Sequence, residues 1–346
     1  MEATSTIAVV GAGSLGQSFA GLLAANGQAV TLLVTRGSAE RLLAAGSIRL
    51  RGTVTLDIPV STAPAPSGVV RITADPSILP ADAGLIFATK GHQLSAAIDT
   101  VRSAWPKPGD TRSWVAGVQN GLVKDDLLAA AFGAERRVGA VTIFGAGRQA
   151  DGTVTVGGRG MTYLGEMSGG RSPRVDRATA VLVAAGIPTE ATLDIQSVLW
   201  SKECNAAGVF GVSVLSRASA SGFGRSPDLV RAYLALIREV GDVARAFQVI
   251  IGDYHGFSIK SYLDQTDDEV LATFAARATP PNPGAVESYP SMTQDLLAGR
   301  PMEVDQIFAD VVDRAARVGV PVPRLTLVRD LIRGIDPGHN PAASAT

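Results

Sequence analysis

The chain predicts an α/β domain built on a parallel sheet, followed by an all-helical domain. Two patterns point to this. Through about Glu166, short runs rich in aliphatic and β-branched residues alternate with helical stretches, as strands joined by crossover helices do. From about Asp194 onward such runs vanish, and apolar residues recur at helical spacing. Length agrees, since 346 residues are more readily divided between two cores than folded around one.

The first strand is Ile7-Ala8-Val9-Val10. Gly11-Ala12-Gly13-Ser14-Leu15-Gly16 follows, then a helix of small residues ending near Asn26-Gly27 and a second strand over Val30 to Val34. A strand, a glycine turn and a helix in that order bring backbone N–H groups and the positive end of a helix dipole to a pyrophosphate. Gly11 allows the tight turn, Gly13 lets the backbone approach the phosphates, and Gly16 lets helix and strand pack closely. Ala12, Ser14 and Leu15 supply the amides between them. This pattern identifies a Rossmann dinucleotide-binding domain. A chain that prefers NAD places Asp or Glu at the end of the second strand to bind the ribose 2′-hydroxyl. Here that segment reads Thr31-Leu32-Leu33-Val34-Thr35-Arg36, with no carboxylate. Arg36 stands where a 2′-phosphate would lie, and a guanidinium binds phosphate bidentately. The expected cofactor is NADP(H).

Further strands are expected at Leu85–Ala88, Ser113–Val118, Val138–Phe144, Val154–Val156 and Met161–Gly165, with a loop over Ser61–Gly68. A helix starts near Val175 and ends before Gly186. In the second half, Ser226-Pro227 is an N-cap with proline at the first helical position. Thr266 with Glu269 forms a capping box, and Val304 to Val318 lie along one apolar stripe stopped by Gly319. The domains expected are residues 1–190 and 191–338, with 339–346 as a disordered Pro/Ala/Ser tail.

Bulk properties narrow the function. The chain is 46% hydrophobic and 18% charged with net charge −1, which provides no polybasic surface for nucleic acid or an anionic membrane. Apolar runs stop well short of the roughly 18 residues of a membrane span. The amino terminus lacks the basic region of a signal peptide. One cysteine, Cys204, fits a reducing compartment, and with three scattered histidines it leaves no metal-ligand cluster. A cytoplasmic, metal-free enzyme is the expectation. Helical stripes of this kind face either a core or a second copy, so a homodimer is compatible with the pattern.

A reductase must polarise a carbonyl and supply a proton. No tyrosine is followed by lysine at the fourth position, which disfavours the short-chain reductase arrangement. Lysines beside apolar runs remain: Lys90 ends one strand, and Lys202 follows Leu199-Trp200-Ser201. An ammonium near the reacting oxygen stabilises the developing alkoxide and can donate the proton.

At these residues the chain resembles the ketopantoate reductase (2-dehydropantoate 2-reductase) family, over almost its whole length. The landmarks come in the family's order: the Gly11-x-Gly13-x-x-Gly16 turn, Arg36, Thr89-Lys90, Asn120-Gly121, Trp200-x-Lys202, Ser291-Met292-x-Gln294-Asp295-Leu296 and Glu303-Val304-Asp305. The resemblance implies a Rossmann domain, a helical domain and an active site in the cleft between them. It implies that Arg36 and Lys90 hold the phosphorylated ribose end of the cofactor and that Asn120 lies near the nicotinamide ribose and substrate. Lys202 would be the general acid, Ser291 would bind the substrate carboxylate, and Glu303 the substrate or product hydroxyl. A small-molecule 2-oxo acid is then the expected substrate.

The chain also departs from the family pattern. Asparagine is expected four residues after the lysine and again four later, where this chain has Ala206 and Phe210. Asn205 stands one position early, a rotation of about 100° on a helix, and is kept as a candidate substrate-binding residue. Ser288 occupies a further position where asparagine is usual. These changes leave open a different keto acid or ketone, a 3-oxo acid or an imine as substrate. The fold by itself also admits a non-catalytic NADP(H)-binding sensor.

Overall fold

A computed structural model describes residues 6–64, 67–104, 113–278 and 288–340. The chain divides into two units: residues up to Gln119 with Lys124–Gln196, and Asn120–Val123 with everything from Ser197 onward.

The first unit is a ten-stranded sheet. Its strands are β1 (Ile7–Val10), β2 (Val30–Leu33), β3 (Ser47–Gly52), β4 (Leu56–Ser61), β5 (Val70–Thr73), β6 (Gly84–Phe87), β7 (Trp114–Gly117), β8 (Gly139–Arg148), β9 (Val154–Gly165) and β10 (Thr189–Ala191). The order β5-β2-β1-β6-β7 is parallel throughout. Every residue of β1, β2, β6 and the terminal β7 is buried, as expected for parallel strands covered on both faces. Helix Ser14–Ala25 covers one face, its Phe19 ring 5.6 Å from that of Phe144 on β8.

The remaining strands differ from the expectation. β3 and β4 form an antiparallel pair, and β8 and β9 a long antiparallel hairpin that joins β3 through β9. β3, β4 and the short β5 are not anticipated from sequence. In β3, Ile48 and Leu50 are buried while Arg49 and Arg51 face outward, so a half-wet strand reads as a charged segment. The two strands expected at Val154–Val156 and Met161–Gly165 are one continuous strand. The expected loop at Ser61–Gly68 begins at the end of β4, and Ala65 and Pro66 lie outside the described residues.

Among the described residues the second unit is helical apart from a short antiparallel pair, β11 (Asp253–Tyr254) with β12 (Phe257–Ser258). Ser226 caps helix Pro227–Ala246 by accepting from the Leu229 N–H, and Thr266 and Glu269 form the expected capping box on helix Asp267–Arg277. Helix Asp310–Val318 ends at Gly319 in the left-handed conformation, φ +68°. It is preceded by a π-helical turn, Asp305–Ala309. His339 bonds Asp336 at 2.6 Å and Asp305 at 3.0 Å, and residues 341–346 of the expected tail lie outside the described residues.

Candidate functional site

In the first unit the glycine turn sits at the carboxyl end of β1, beside the ends of β2 and β6, where ligands bind in open α/β sheets. Gly11 has φ +108°, and a side chain there would come within 2.8 Å of Thr89 Cγ2. A Cβ on Gly16 would overlap the Gly11 carbonyl, so this glycine closes helix onto strand. Gly13 differs, since its nearest neighbour would be the Ala88 carbonyl oxygen at an ordinary 3.6 Å. Nothing in the described chain requires a glycine at 13, and its open side leaves room for a ligand to approach the backbone. Ser14 donates to the Ala146 carbonyl at 2.9 Å and Gln17 Nε2 to the Ala12 carbonyl at 2.9 Å, which fixes the turn. Ala12 and Leu15 pack against the sheet core. No carboxylate occupies the first turn of the helix to compete with a phosphate.

Arg36 is the first residue of helix Arg36–Ala45 and is exposed. A cation is electrostatically disfavoured at a helix N-terminus, so local structure gives no reason for it. It makes no hydrogen bond or ion pair among the described residues, so its guanidinium is available to an anion. Lys90 is half-buried and opens the 3₁₀ turn Gly91–Gln93 directly after Thr89. Sequence reasoning missed Gln119, whose Nε2 donates to Thr89 Oγ1 at 3.3 Å. Its position just past β7 was the available signal. Turn, helix end and Arg36 together fit a phosphorylated dinucleotide.

In the second unit, helix Ile195–Ser216 carries Lys202 and Asn205. Ser197 accepts from Tyr254 Oη–H at 2.6 Å, and Ser201 from the Gly252 N–H at 2.9 Å. Trp200 packs its ring 5.6 Å from Phe247. These contacts set the helix's rotation. Of residues 197–214, only Lys202, Asn205 and Val209 are more than marginally accessible. Spacings of three and four place them on one face. The early asparagine therefore shares the face of Lys202 after all, while Ala206 and Phe210 are buried at 5% and 9% exposure.

Asn120 Nδ2 donates to Glu303 Oε2 at 3.5 Å, and Glu303 is only 4% exposed. Gly121, at φ +91°, lies against the π-helical turn, where a Cβ would be 3.0 Å from the Gln306 carbonyl carbon and closer still to its oxygen. Asn-Gly at 120–121 is thus both a turn and a close backbone approach. Glu303 sits just before the turn rather than inside a helix, with its carbonyl accepting from the Ile307 N–H at 3.2 Å. The segment is clamped from the carboxyl end, as Asp336 accepts from the Met302 N–H at 2.9 Å and Asp305 from Arg333 Nε at 3.1 Å. Burial works against the charged form of Asp305, yet Arg333 and His339 hold its carboxyl below the usual range.

Ser291 begins helix Ser291–Leu297 and is exposed. It does not cap the helix, because Pro290 occupies that position. Its hydroxyl makes no hydrogen bond among the described residues. Two residues on, Thr293 donates to Ser213 at 2.8 Å and ties this helix to the one bearing Lys202. Asp295 is held by Arg300 Nε at 2.9 Å. Among the described residues, no group of three or more His, Cys, Asp or Glu could hold a metal ion, and no helix is long and apolar enough to cross a membrane.

Two family models match this architecture end to end: "Ketopantoate reductase PanE/ApbA" over residues 7–169 and its C-terminal counterpart over residues 194–336. The chain belongs to the ketopantoate reductase family. It is an NADP-dependent oxidoreductase acting on CH–OH groups, and the family's chemistry is reduction of a keto acid. A 2-dehydropantoate 2-reductase of Archaeoglobus fulgidus is 26% identical over 332 residues, 96% of this chain and 98% of that one. The crystal structure of 2-dehydropantoate 2-reductase from Geobacter metallireducens superposes with a TM-score of 0.77 at 24% identity, covering 95% of this reductase and 99% of that chain. A ternary structure of D-mandelate dehydrogenase with NADH and anilino(oxo)acetate has a TM-score of 0.76 at 19% identity, covering 95% and 97%. Both likenesses concern the fold.

Proposed function

We propose that the protein reduces a 2-oxo acid to a 2-hydroxy acid with NADPH, with Lys202 as the general acid. One observation supports this above the others: helix Ile195–Ser216 is buried between 197 and 214 except for a single stripe, and the stripe's only ionisable residue is Lys202. A helix that buries nearly all of residues 197–214, yet keeps one lysine half-buried on its accessible stripe, is suited to present that side chain to a ligand. Hydride for the carbonyl carbon comes from the reduced nicotinamide when NADPH is bound. The Lys202 ammonium donates a hydrogen bond to the ketone oxygen, stabilises the negative charge that develops there and passes it a proton, leaving a secondary alcohol.

Glu303, held through Asn120, accepts a hydrogen bond from that hydroxyl. Ser291, with its hydroxyl uncommitted, donates to the substrate carboxylate. Gly11, Gly13 and Gly16 form the pyrophosphate turn, and Arg36 with Lys90 holds the 2′-phosphorylated ribose. Two fixed groups for two ends of a small substrate provide the orientation that the reaction requires.

The names of the curated relatives make 2-dehydropantoate the first substrate to test, which would put the enzyme in pantothenate biosynthesis. A second reading is favoured by Val209 on the accessible stripe and by the buried Ala206 and Phe210 beside it, which put hydrocarbon where the family pattern has asparagine. On that reading the substrate is a 2-oxo acid with an apolar side chain. Steady-state assays following NADPH absorbance across 2-dehydropantoate, branched aliphatic and aromatic 2-oxo acids, 3-oxo acids and imines separate these. Lys202→Ala should lower turnover by about a hundredfold or more with NADPH binding little changed. Near-full activity in that variant would reject the assigned role.

A further inference from the structure

Asn205 has a partner that local sequence does not announce. Tyr233, on helix Pro227–Ala246, donates from its hydroxyl to Asn205 Oδ1 at 3.2 Å. The tyrosine reaches this position because Gly208 lies beneath its ring, where a Cβ would be 2.5 Å from Tyr233 Cδ2 and 2.7 Å from Ile237 Cγ2. Tyr233 is 2% exposed and sits in an aromatic cage, its ring 5.4 Å from Phe223, 6.0 Å from Phe274 and 6.3 Å from Tyr262. The phenol therefore cannot swing away from the amide.

A carboxamide has an acceptor end and a donor end. With Oδ1 engaged by Tyr233, the Nδ2 donors are left over, and they make no hydrogen bond among the described residues. The side chain is half-buried, one helical turn beyond Lys202 on the only accessible stripe of residues 197–214. Burial also pushes the Tyr233 phenol well above its ordinary range, so the hydroxyl stays a donor at any working pH.

Building on the 2-oxo acid reading, we propose that Tyr233 is a positioning residue: it fixes the Asn205 amide so that Nδ2–H donates to an oxygen of the bound 2-oxo acid beside the one served by Lys202. The asparagine displaced by one position relative to the family pattern is thus put to use through a tyrosine on the neighbouring helix. The ligand end that fits is a hydrogen-bond acceptor carrying negative charge, since two donor groups, one cationic, lie a turn apart with no accessible carboxylate between them on that stripe.

The full-length enzyme tests this with NADPH and the 2-oxo acid it reduces best. Tyr233→Phe keeps the ring and removes only the hydroxyl. It should raise KM for the 2-oxo acid about tenfold, the scale of one lost hydrogen bond to a charged group, with kcat and the Kd for NADPH nearly unchanged. Asn205→Ala should do the same, and the double variant should be no worse than Asn205→Ala alone, because one residue acts through the other. An unchanged KM in Tyr233→Phe, or effects that multiply in the double variant, would overturn the proposal. Should Tyr233→Phe fail to fold, Asn205→Asp decides. Aspartate still accepts from Tyr233 but has lost its donor, so KM must rise at least as far as in Asn205→Ala, and a wild-type KM refutes the idea. A wild-type enzyme that reduces no 2-oxo acid overturns this inference and the functional reading together, whereas unmoved KM values in an active enzyme overturn the inference alone.

Discussion

Replacing the glycines of the first turn one at a time separates what the fold needs from what the cofactor needs. In Gly16→Ala the new methyl would lie 3.1 Å from the Gly11 carbonyl carbon, closer to its oxygen, and 3.4 Å from Ala88 Cβ. Carbon atoms settle at about 3.5–4.0 Å, so the helix must lift off the strand or the turn must open. Overpacking of this kind costs about 1–3 kcal/mol. At about 2–4 °C per kcal/mol for a domain of this size, the thermal midpoint should fall by several degrees. Gly13→Ala is the opposite case. Gly13 has φ −66° and ψ 176°, which alanine adopts freely, and its Cβ would meet only the Ala88 oxygen at 3.6 Å. Reduced freedom in the unfolded chain favours alanine by about 0.4–1 kcal/mol, and loss of a glycine N-cap offsets part of this. Stability should therefore stay within about 1 kcal/mol of the parent. NADPH affinity should nonetheless fall about tenfold or more, a loss of roughly 1.4 kcal/mol, because the methyl stands where the backbone must meet the pyrophosphate. Differential scanning fluorimetry and NADPH fluorescence titration on both variants provide the readout. Gly13→Ala with unaltered affinity would refute the reasoning, as would Gly16→Ala with parental stability.

Three other outcomes follow from contacts already described or adjacent to them. Glu239, 5% exposed on helix Pro227–Ala246, accepts from the Arg324 N–H at 3.1 Å and the Leu325 N–H at 2.8 Å, capping helix Pro323–Ile335 from outside it. Glu239→Gln turns a donor toward those amides and should cost about 1–3 kcal/mol in denaturant unfolding, and a neutral result would show that the cap is dispensable. The Asp336 carboxylate, with Asp305 behind it, raises the His339 pKa against the effect of burial. The stability His339 contributes is therefore fully present below its ordinary value of 6.5 and lost as pH rises through the raised folded value. His339→Gln should flatten the decline in stability on that alkaline side, and a pH–stability curve unchanged in the variant would count against the contact. Burial, then the neighbouring Glu203 charge, pushes the Cys204 thiol far up. A thiol reagent should leave the native enzyme unlabelled and react only on unfolding, so rapid native labelling would contradict the buried assignment.

Much of this protein was legible in one dimension because the relevant physics is local. Backbone conformation and helix polarity are decided within a few residues, so Ile7 to Gly16 reads as a phosphate-binding turn, and Ser226-Pro227 and Thr266 with Glu269 announce their helices. The absence of a carboxylate before Arg36 is equally plain from the chain alone. Strands β3 and β4 were hidden because one face is wet: a strand such as Ser-Ile-Arg-Leu-Arg-Gly carries too much charge to read as sheet until its two partners are known.

Tertiary structure decided the questions that depend on rotation and on distant partners. Helical spacing alone could not say which side of Ile195–Ser216 stays accessible. That was settled by Ser197, Ser201 and Trp200 gripping residues near 250, roughly fifty positions away in sequence. It could not pair Asn120 with Glu303 across 183 residues, nor bring Tyr233 over Gly208 to grip Asn205. Conformational preference is carried by each residue and its neighbours, whereas the aim of a side chain is fixed by whatever packs against it.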